Sequence, residues 1–473
     1  MLFNSMNFAF FMIIIFFIYW KIPEKYRWIL LLASSYYFYM CWDAKYIFLI
    51  LGITVVSYSG AIIIDRIEKN KKVILIATIL ICLGVLVYFK YFNFIFESLA
   101  WIVQKSGNKM NTAVFDIILP VGISFYIFQA ISYLIDVYRN EVDAEHHFGI
   151  YATFLSFFPQ LVAGPIERTK HLLPQIRKQH IFSYKKASYG LKQIAWGLFK
   201  KIVIADTMSF YVNWIYGDLH QYTGLTLLIC TFFFSIQIYC DFSGYSDIAI
   251  GVAKLLDIDL MSNFESPYLS GSVKQFWSRW HISLSTWFRD YVYIPLGGNR
   301  CSKFRNAFNL MITFLLSGLW HGANWTFVCW GGIHGAAQIV EKFSIKNKRK
   351  RETIISICIV FLFVNFAWVF FRADSFSDAW YIFKNIFNGI NNPIQYIEQA
   401  HLDLHMDIFM SVKIFFMIAI LFCFDLLSKT SDVIETIGKL SRVKRWMIYS
   451  FFLFFLLFLL PVESGKEFIY FQF

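Results

Sequence analysis

Apolar side chains fall in long blocks separated by short polar turns. The blocks approach the roughly 20 residues a helix needs to cross a hydrocarbon core. Asn7–Trp20 leaves through KIPEKYR, and Trp28–Met40 and Tyr46–Ile64 follow, joined by the turn CWDAK. Val73–Tyr91 continues as an aromatic, interfacial segment to Val103, and Ile117–Val137 comes next, with Pro120 and Gly122 near its start. Tyr151–Val162 stops at Gly164-Pro165. Proline breaks a helix and restricts the residue before it, so a broken or re-entrant element is expected there. Leu225–Tyr239 and Ile248–Leu256 flank the polar run DFSGYSD. Ile333–Ile339, Ile354–Phe371, Ile414–Leu427 and Met447–Leu460 complete the pattern. It predicts an all-α, polytopic membrane protein of about ten to twelve transmembrane or re-entrant helices. No fixed-period repeat speaks for a solenoid or an inverted-repeat transporter.

The polar turns give the orientation. Basic turns at 21–27, 65–72, 166–201, 300–305, 342–351 and 429–445, placed in the cytoplasm, leave one largely consistent path with both termini outside. Within the third of them, Tyr184–Ile204 has the pattern of an amphipathic helix lying on the cytoplasmic surface. With no long polar linker, the chain reads as a single membrane domain over 1–473. Peripheral helices occupy about 1–110, a core about 115–345 and C-terminal helices about 353–473.

Composition points the same way: 58% of the residues are hydrophobic, 21% aromatic and 16% charged. Soluble domains carry about 25% charged residues. The net charge of +12 lies in the turns between apolar blocks, which is a positive-inside bias and not a nucleic-acid footprint. The eight cysteines include no CxxC pair and read as buried, inert thiols. Lys21, the first basic residue, follows the first apolar block, so no cleavable signal peptide is expected.

Candidate chemistry concentrates in Val273–Gly332, which reads VKQFWSRWHISLSTWFRDYVYIPLGGNR, a basic turn, then NLMITFLLSGLWHGANWTFVCWGG. His321 lies twelve residues beyond Asn309, or roughly 18 Å along a helix, near the middle of the bilayer core. Burial there disfavours the imidazolium, and neutral imidazole is the form that takes a proton from a hydroxyl. On one continuous helix it would share a face with Ser317, Trp325 and Cys329, while Gly318 and Gly322 admit a close neighbour. The alternative is a hydrogen-bonded structural histidine. His281, read on a helix, aligns with Trp277, Ser285 and Phe288 and is either a site residue or a packing residue. Lys274, Arg279, Arg289 and Arg300 either meet phosphates or snorkel to the interface. Asp241 and Asp247 either form an ion or proton pathway or fix helix ends by bonding Ser243, Tyr245 or an arginine. His401, Asp403, His405 and Asp407 have helical spacing but lack a zinc-protease glutamate, so no metal site is assigned.

Five blocks together resemble the membrane-bound O-acyltransferase family. They are LPVGISFYIFQAISYLIDVYR (119–139), FFPQLVAGPIER (157–168), DFSGYSD (241–247), FWSRWHISLSTWFRDYVYIPLGG (276–298) and LWHGANWTFVCWGG (319–332), and the tail FIYFQF also fits. The similarity is to the bacterial branch that serves alginate and peptidoglycan O-acetylation and teichoic acid D-alanylation. It implies that His321 is the catalytic histidine and His281 its upstream partner. It also implies a catalytic tunnel across the bacterial cytoplasmic membrane. Cytosolic acetyl-CoA would be a donor substrate and not a bound cofactor, and an extracytoplasmic SGNH-type transferase would be the partner. Trp280, Ser283, Trp320, Asn324 and Trp325 are candidates for contact with the tunnel or the acyl donor, as are Lys200, Lys201 and Arg168 for coenzyme A. D-alanyl transfer, glycan or acyl transport and a non-catalytic scaffold are the competing expectations.

Overall fold

The computed structural model describes residues 1–107, 115–162, 164–344, 353–458 and Phe468. Most of the basic turn 342–351 and the tail after Phe468 lie outside the described residues, which contain helices and no strands. They gather into two compact units.

The first unit comprises Met1–Ala187, Val252–Met261 and Gly322–Asn324. Its helices are α1 (Met6–Lys21), α2 (Arg27–Met40), α3 (Ile47–Arg66), α4 (Lys71–Leu86) and α5 (Phe92–Lys105). They continue as α6 (Ile123–Tyr138), α7 (Phe148–Ser156), α8 (Phe158–Leu161) and α9 (Thr169–Arg177). A π-helical turn, Val87–Tyr91, joins α4 to α5. The expected break is present, since α8 ends at Leu161 before Gly164-Pro165, and a second break comes earlier, at Phe157. Pro159, near the start of α8, is the reason: it has no N–H to continue α7, and its ring would meet a carbonyl of the preceding turn. The Ser35 hydroxyl accepts the freed Phe158 N–H at 3.0 Å.

The second unit comprises Ser188–Gly251, Ser262–His321 and Trp325–Phe473. It receives most of α10 (Tyr184–Leu198), which passes through a π-helical turn, Phe199–Ala205, into α11 (Asp206–Gly217). Next come α12 (Leu225–Leu255), α13 (Val273–Arg279), α14 (Ile282–Phe288), α15 (Lys303–His321), α16 (Trp325–Ser344) and α17 (Ile354–Arg372). The shorter α18 (Phe376–Asn385) and α19 (Pro393–Leu404) lead to α20 (Ile408–Ser428), α21 (Val433–Lys439) and α22 (Arg442–Phe458).

Two expectations change here. DFSGYSD does not separate two apolar segments; it lies inside α12, a single helix of 31 residues. Nor does the helix starting at Tyr184 lie wholly on a surface, because Lys200 and Lys201 are buried. One cause explains both. Lys200 Nζ reaches Asp247 at 2.5 Å, and Lys201 Nζ sits between Asp206 at 2.9 Å and Asp241 at 2.7 Å. Buried charges persist when paired. Glycines bring the two backbones together: a Cβ on Gly244 would stand 2.8 Å from the Gly197 carbonyl oxygen.

Among the described residues, five helical stretches are long and apolar enough to cross a membrane: Ala44–Arg66, Lys71–Lys105, Leu225–Leu255, Ile354–Arg372 and Ile408–Ser428. Met6–Lys21 and Ile123–Tyr138 are apolar but shorter. The protein is an all-α, multi-pass membrane protein.

Candidate active site

His281 occupies a corner and not a helix face. Helix α13 ends at Arg279, and His281 adopts φ +44 before α14 begins. Trp277, Ser285 and Phe288 therefore do not align with it along one helix. Asn263 holds the corner from outside. Its backbone carbonyl accepts the Ile282 N–H at 3.0 Å, and its side-chain oxygen accepts the Ser283 hydroxyl at 2.6 Å. Its amide nitrogen donates to Ser246 on α12 at 3.2 Å.

His321 is the last residue of α15, and a three-residue turn precedes α16. Ser317 shares its helix, but Trp325 and Cys329 belong to α16, and Trp325 is 54% exposed. The two helices touch backbone to backbone: a Cβ on Gly318 would lie 2.3 Å from the Phe327 carbonyl oxygen. Gly331 faces the Phe314 carbonyl in the same way, at 2.2 Å.

The corner and the hairpin bring the two histidines together. Their ring centroids are 6.2 Å apart, and both residues are buried. Trp320 touches both rings, at 5.9 Å from His281 and 5.0 Å from His321. Phe242 stands edge-on to His281 at 4.6 Å. Trp330 at 5.1 Å and Phe371 at 5.5 Å pack on His321. Two imidazoles in an aromatic enclosure can exchange protons with a bound hydroxyl while water is kept out.

Of the other candidates, Trp320 is in this group. Trp280 is buried against Phe264, Phe276 and Trp368, and Ser283 is engaged by Asn263. Asn324 lies in the half-buried turn after His321. Asp241 and Asp247 pair with lysines. Those pairs occupy the ammonium groups of Lys200 and Lys201. Arg289 pairs with Asp290, and Arg279 donates to the Leu269 carbonyl. Asp403 accepts from Thr226 and Gln399, and among the described residues no group of three or more His, Cys, Asp or Glu side chains could hold a metal ion.

His334 and Asn263 are not among the candidates named from the sequence. His334 is fully buried on α16, with Nδ1 3.2 Å from the Trp277 indole nitrogen. The rule that singled out His321, an ionisable group deep in an apolar segment, applies equally to GGIHGAA. Asn263 left no such signal, since its partners come from distant parts of the chain.

The model of the MBOAT, membrane-bound O-acyltransferase family, matches residues 83–377. The chain is 40% identical over 407 residues to the probable alginate O-acetylase AlgI of Pseudomonas aeruginosa, covering 85% of this chain and 78% of that protein. It is 35% identical over 397 residues to the peptidoglycan O-acetyltransferase of Helicobacter pylori, covering 76% and 74%. With the teichoic acid D-alanyltransferase of Bacillus subtilis it shares 27% over 277 residues, covering 54% and 69%. The chain therefore belongs to the membrane-bound O-acyltransferase family and is an O-acyltransferase.

Proposed function

We propose that this protein moves an acetyl group from cytosolic acetyl-CoA to an extracytoplasmic acceptor, for O-acetylation of an exopolysaccharide or a cell-wall glycan. The observation that carries the reading is the pair of buried imidazoles 6.2 Å apart at the end of the α15–α16 hairpin. His321 takes the proton of the acceptor hydroxyl as its oxygen attacks the thioester carbonyl. His281 faces the same space and stabilises the charge that develops on the carbonyl oxygen. When the C–S bond breaks, the proton on His321 passes to the departing thiolate, so no net proton is consumed.

Coenzyme A is polyanionic and stays in the cytosol, on the side assigned to the basic turns. The acceptor stays outside, so the two meet in a tunnel at the histidine pair. The chain sits in the bacterial cytoplasmic membrane with both termini outside. The acetyl group passes on through a separate SGNH-type transferase, as the family resemblance implies. Acetyl is favoured over D-alanyl because the acetylating relatives are more similar and cover more of the chain, at 40% identity over 85% against 27% over 54%.

Membrane vesicles given acetyl-CoA radiolabelled in the acetyl group test the reading. Wild type transfers label outward, His321→Ala does not, and His281→Ala is impaired. Retained transfer by His321→Ala removes the base assignment. An inert wild type, with partner supplied, removes acetyl transfer.

A further inference from the structure

His334 has no task in the chemistry above, yet it is fully buried and carries a specific hydrogen bond. An indole nitrogen can only donate. The contact of 3.2 Å from Trp277 Nε1 to His334 Nδ1 therefore makes Nδ1 the acceptor, with the ring hydrogen on Nε2.

The bond joins the helix that leads into the His281 corner to the hairpin that carries His321. Trp277 is on α13, and His281 follows it by four residues. His334 is on α16, whose partner in the hairpin, α15, ends in His321. A second link lies nearer the polar end, where the Lys274 N–H donates to Glu341 at 3.1 Å. The pairs 274–341 and 277–334 run antiparallel and lead toward Trp330. That ring lies 5.0 Å from His334, 5.6 Å from Trp277 and 5.1 Å from His321. The outer link is exposed and open to exchange with water. The inner one is buried, where an indole N–H has no solvent to turn to.

We propose that His334 is a positioning residue: by accepting the Trp277 indole N–H it sets the α13 arm against the α15–α16 hairpin and so fixes the spacing of His281 and His321. The kinetic consequence rests on the acetyl-transfer reading; the structural one does not.

The test uses full-length protein labelled with 5-fluorotryptophan in nanodiscs and read by fluorine NMR. Trp277→Phe and Trp320→Phe identify the two lines. Trp320 touches both site histidines and reports their surroundings. His334→Leu should move the Trp277 and Trp320 lines together. His334→Asn, whose side-chain oxygen can stand in for Nδ1, should return both toward wild type. In the vesicle assay His334→Leu should lower kcat at least tenfold with KM for acetyl-CoA within twofold, and His334→Asn should recover most of the loss. A Trp320 line that stays put, a defect confined to KM, or an asparagine no better than leucine overturns the proposal. Should His334→Leu fail to fold, Trp277→Phe removes the same bond from the donor side, and an unmoved Trp320 line there also overturns it. Because the spectrum needs no turnover, an inert wild type counts against acetyl transfer while the Trp320 line still decides the role of His334.

Discussion

His281 and His321 face one another with ring centroids 6.2 Å apart and planes inclined at 61°, and the Trp320 indole lies against both. In the proposed reaction both rings act on the same reacting group. Groups that serve one transition state lose their effects non-additively. His321→Ala should lower transfer by roughly 10²- to 10⁴-fold, the range for loss of a general base. His281→Ala should lower it less, and the double variant should be no slower than His321→Ala alone. Initial rates of labelled acetyl transfer give the comparison. A double variant slowed by the product of the two single effects would show that the residues act independently.

His281 also carries a backbone constraint that can be separated from its chemistry. At φ +44 it lies in the left-handed region, which asparagine tolerates and β-branched residues do not. His281→Asn should therefore melt within a few degrees of wild type while transfer falls. His281→Val should melt markedly lower, by a strain of about 1–3 kcal/mol. Thermal denaturation of the purified variants in detergent separates the two. Equal melting temperatures would mean that the corner is not strained.

The helical, membrane-spanning character and the burial of His321 were legible because both depend on the linear order of apolar and polar residues. The His281 corner was not, because nothing local ends α13 there; its geometry is held by Asn263 and Ser246, which come from separate stretches. The unbroken α12 was hidden for a related reason. DFSGYSD looks like an interruption until the lysines of the π-helical turn Phe199–Ala205 supply its counter-charges. Pro159 and His334, by contrast, carried signals that local rules could have caught.

That charge cluster makes its own prediction. Lys201 has Asp206 on one side and Asp241 on the other, and all three side chains are almost wholly buried. Lys201→Met leaves two buried carboxylates without their cation, and removing one partner of a buried pair costs about 3–5 kcal/mol. Asp241→Asn still leaves Lys201 facing Asp206 and should cost less. The combination of Lys201→Met with Asp241→Asn should recover part of the loss. Melting temperatures measured in one detergent rank the three variants, and a double variant less stable than Lys201→Met would contradict the pairing.

On the basic stretch 166–201, the His171 imidazole pairs with Glu167 at 2.6 Å. This hydrogen bond holds the histidine above its ordinary pKa of 6.5, while burial raises the Glu167 carboxyl above its own ordinary value. Both groups therefore bind protons more readily in the folded protein than in the unfolded chain. The stability contributed by His171 is complete below the unfolded value near 6.5 and is lost as pH climbs through the raised folded value. Melting temperature should decline from pH 6.5 upward in wild type, and that part of the decline should be missing in His171→Gln. An identical profile in the variant would show that the pair does not govern it.

Two adjacent glycines on α16 should respond very differently to one added methyl group. At Gly331 a Cβ would stand 2.2 Å from the Phe314 carbonyl oxygen and 3.2 Å from Gly318 Cα, both backbone atoms of α15. Neither can rotate away, so Gly331→Ala must push the hairpin apart. At Gly332 the nearest atom is Leu315 Cδ2 at 3.5 Å, an ordinary contact with a mobile side chain. Gly332→Ala should be neutral or slightly stabilising, since alanine favours a helix over glycine by about 1 kcal/mol. Gly331→Ala should lose both stability and transfer, because the separation forced at Gly331 lies beside Trp330, which packs on His321. Melting temperature and initial rate, taken on both variants, test the pair; a tolerated Gly331→Ala would mean that the α15–α16 contact can relax without moving the site.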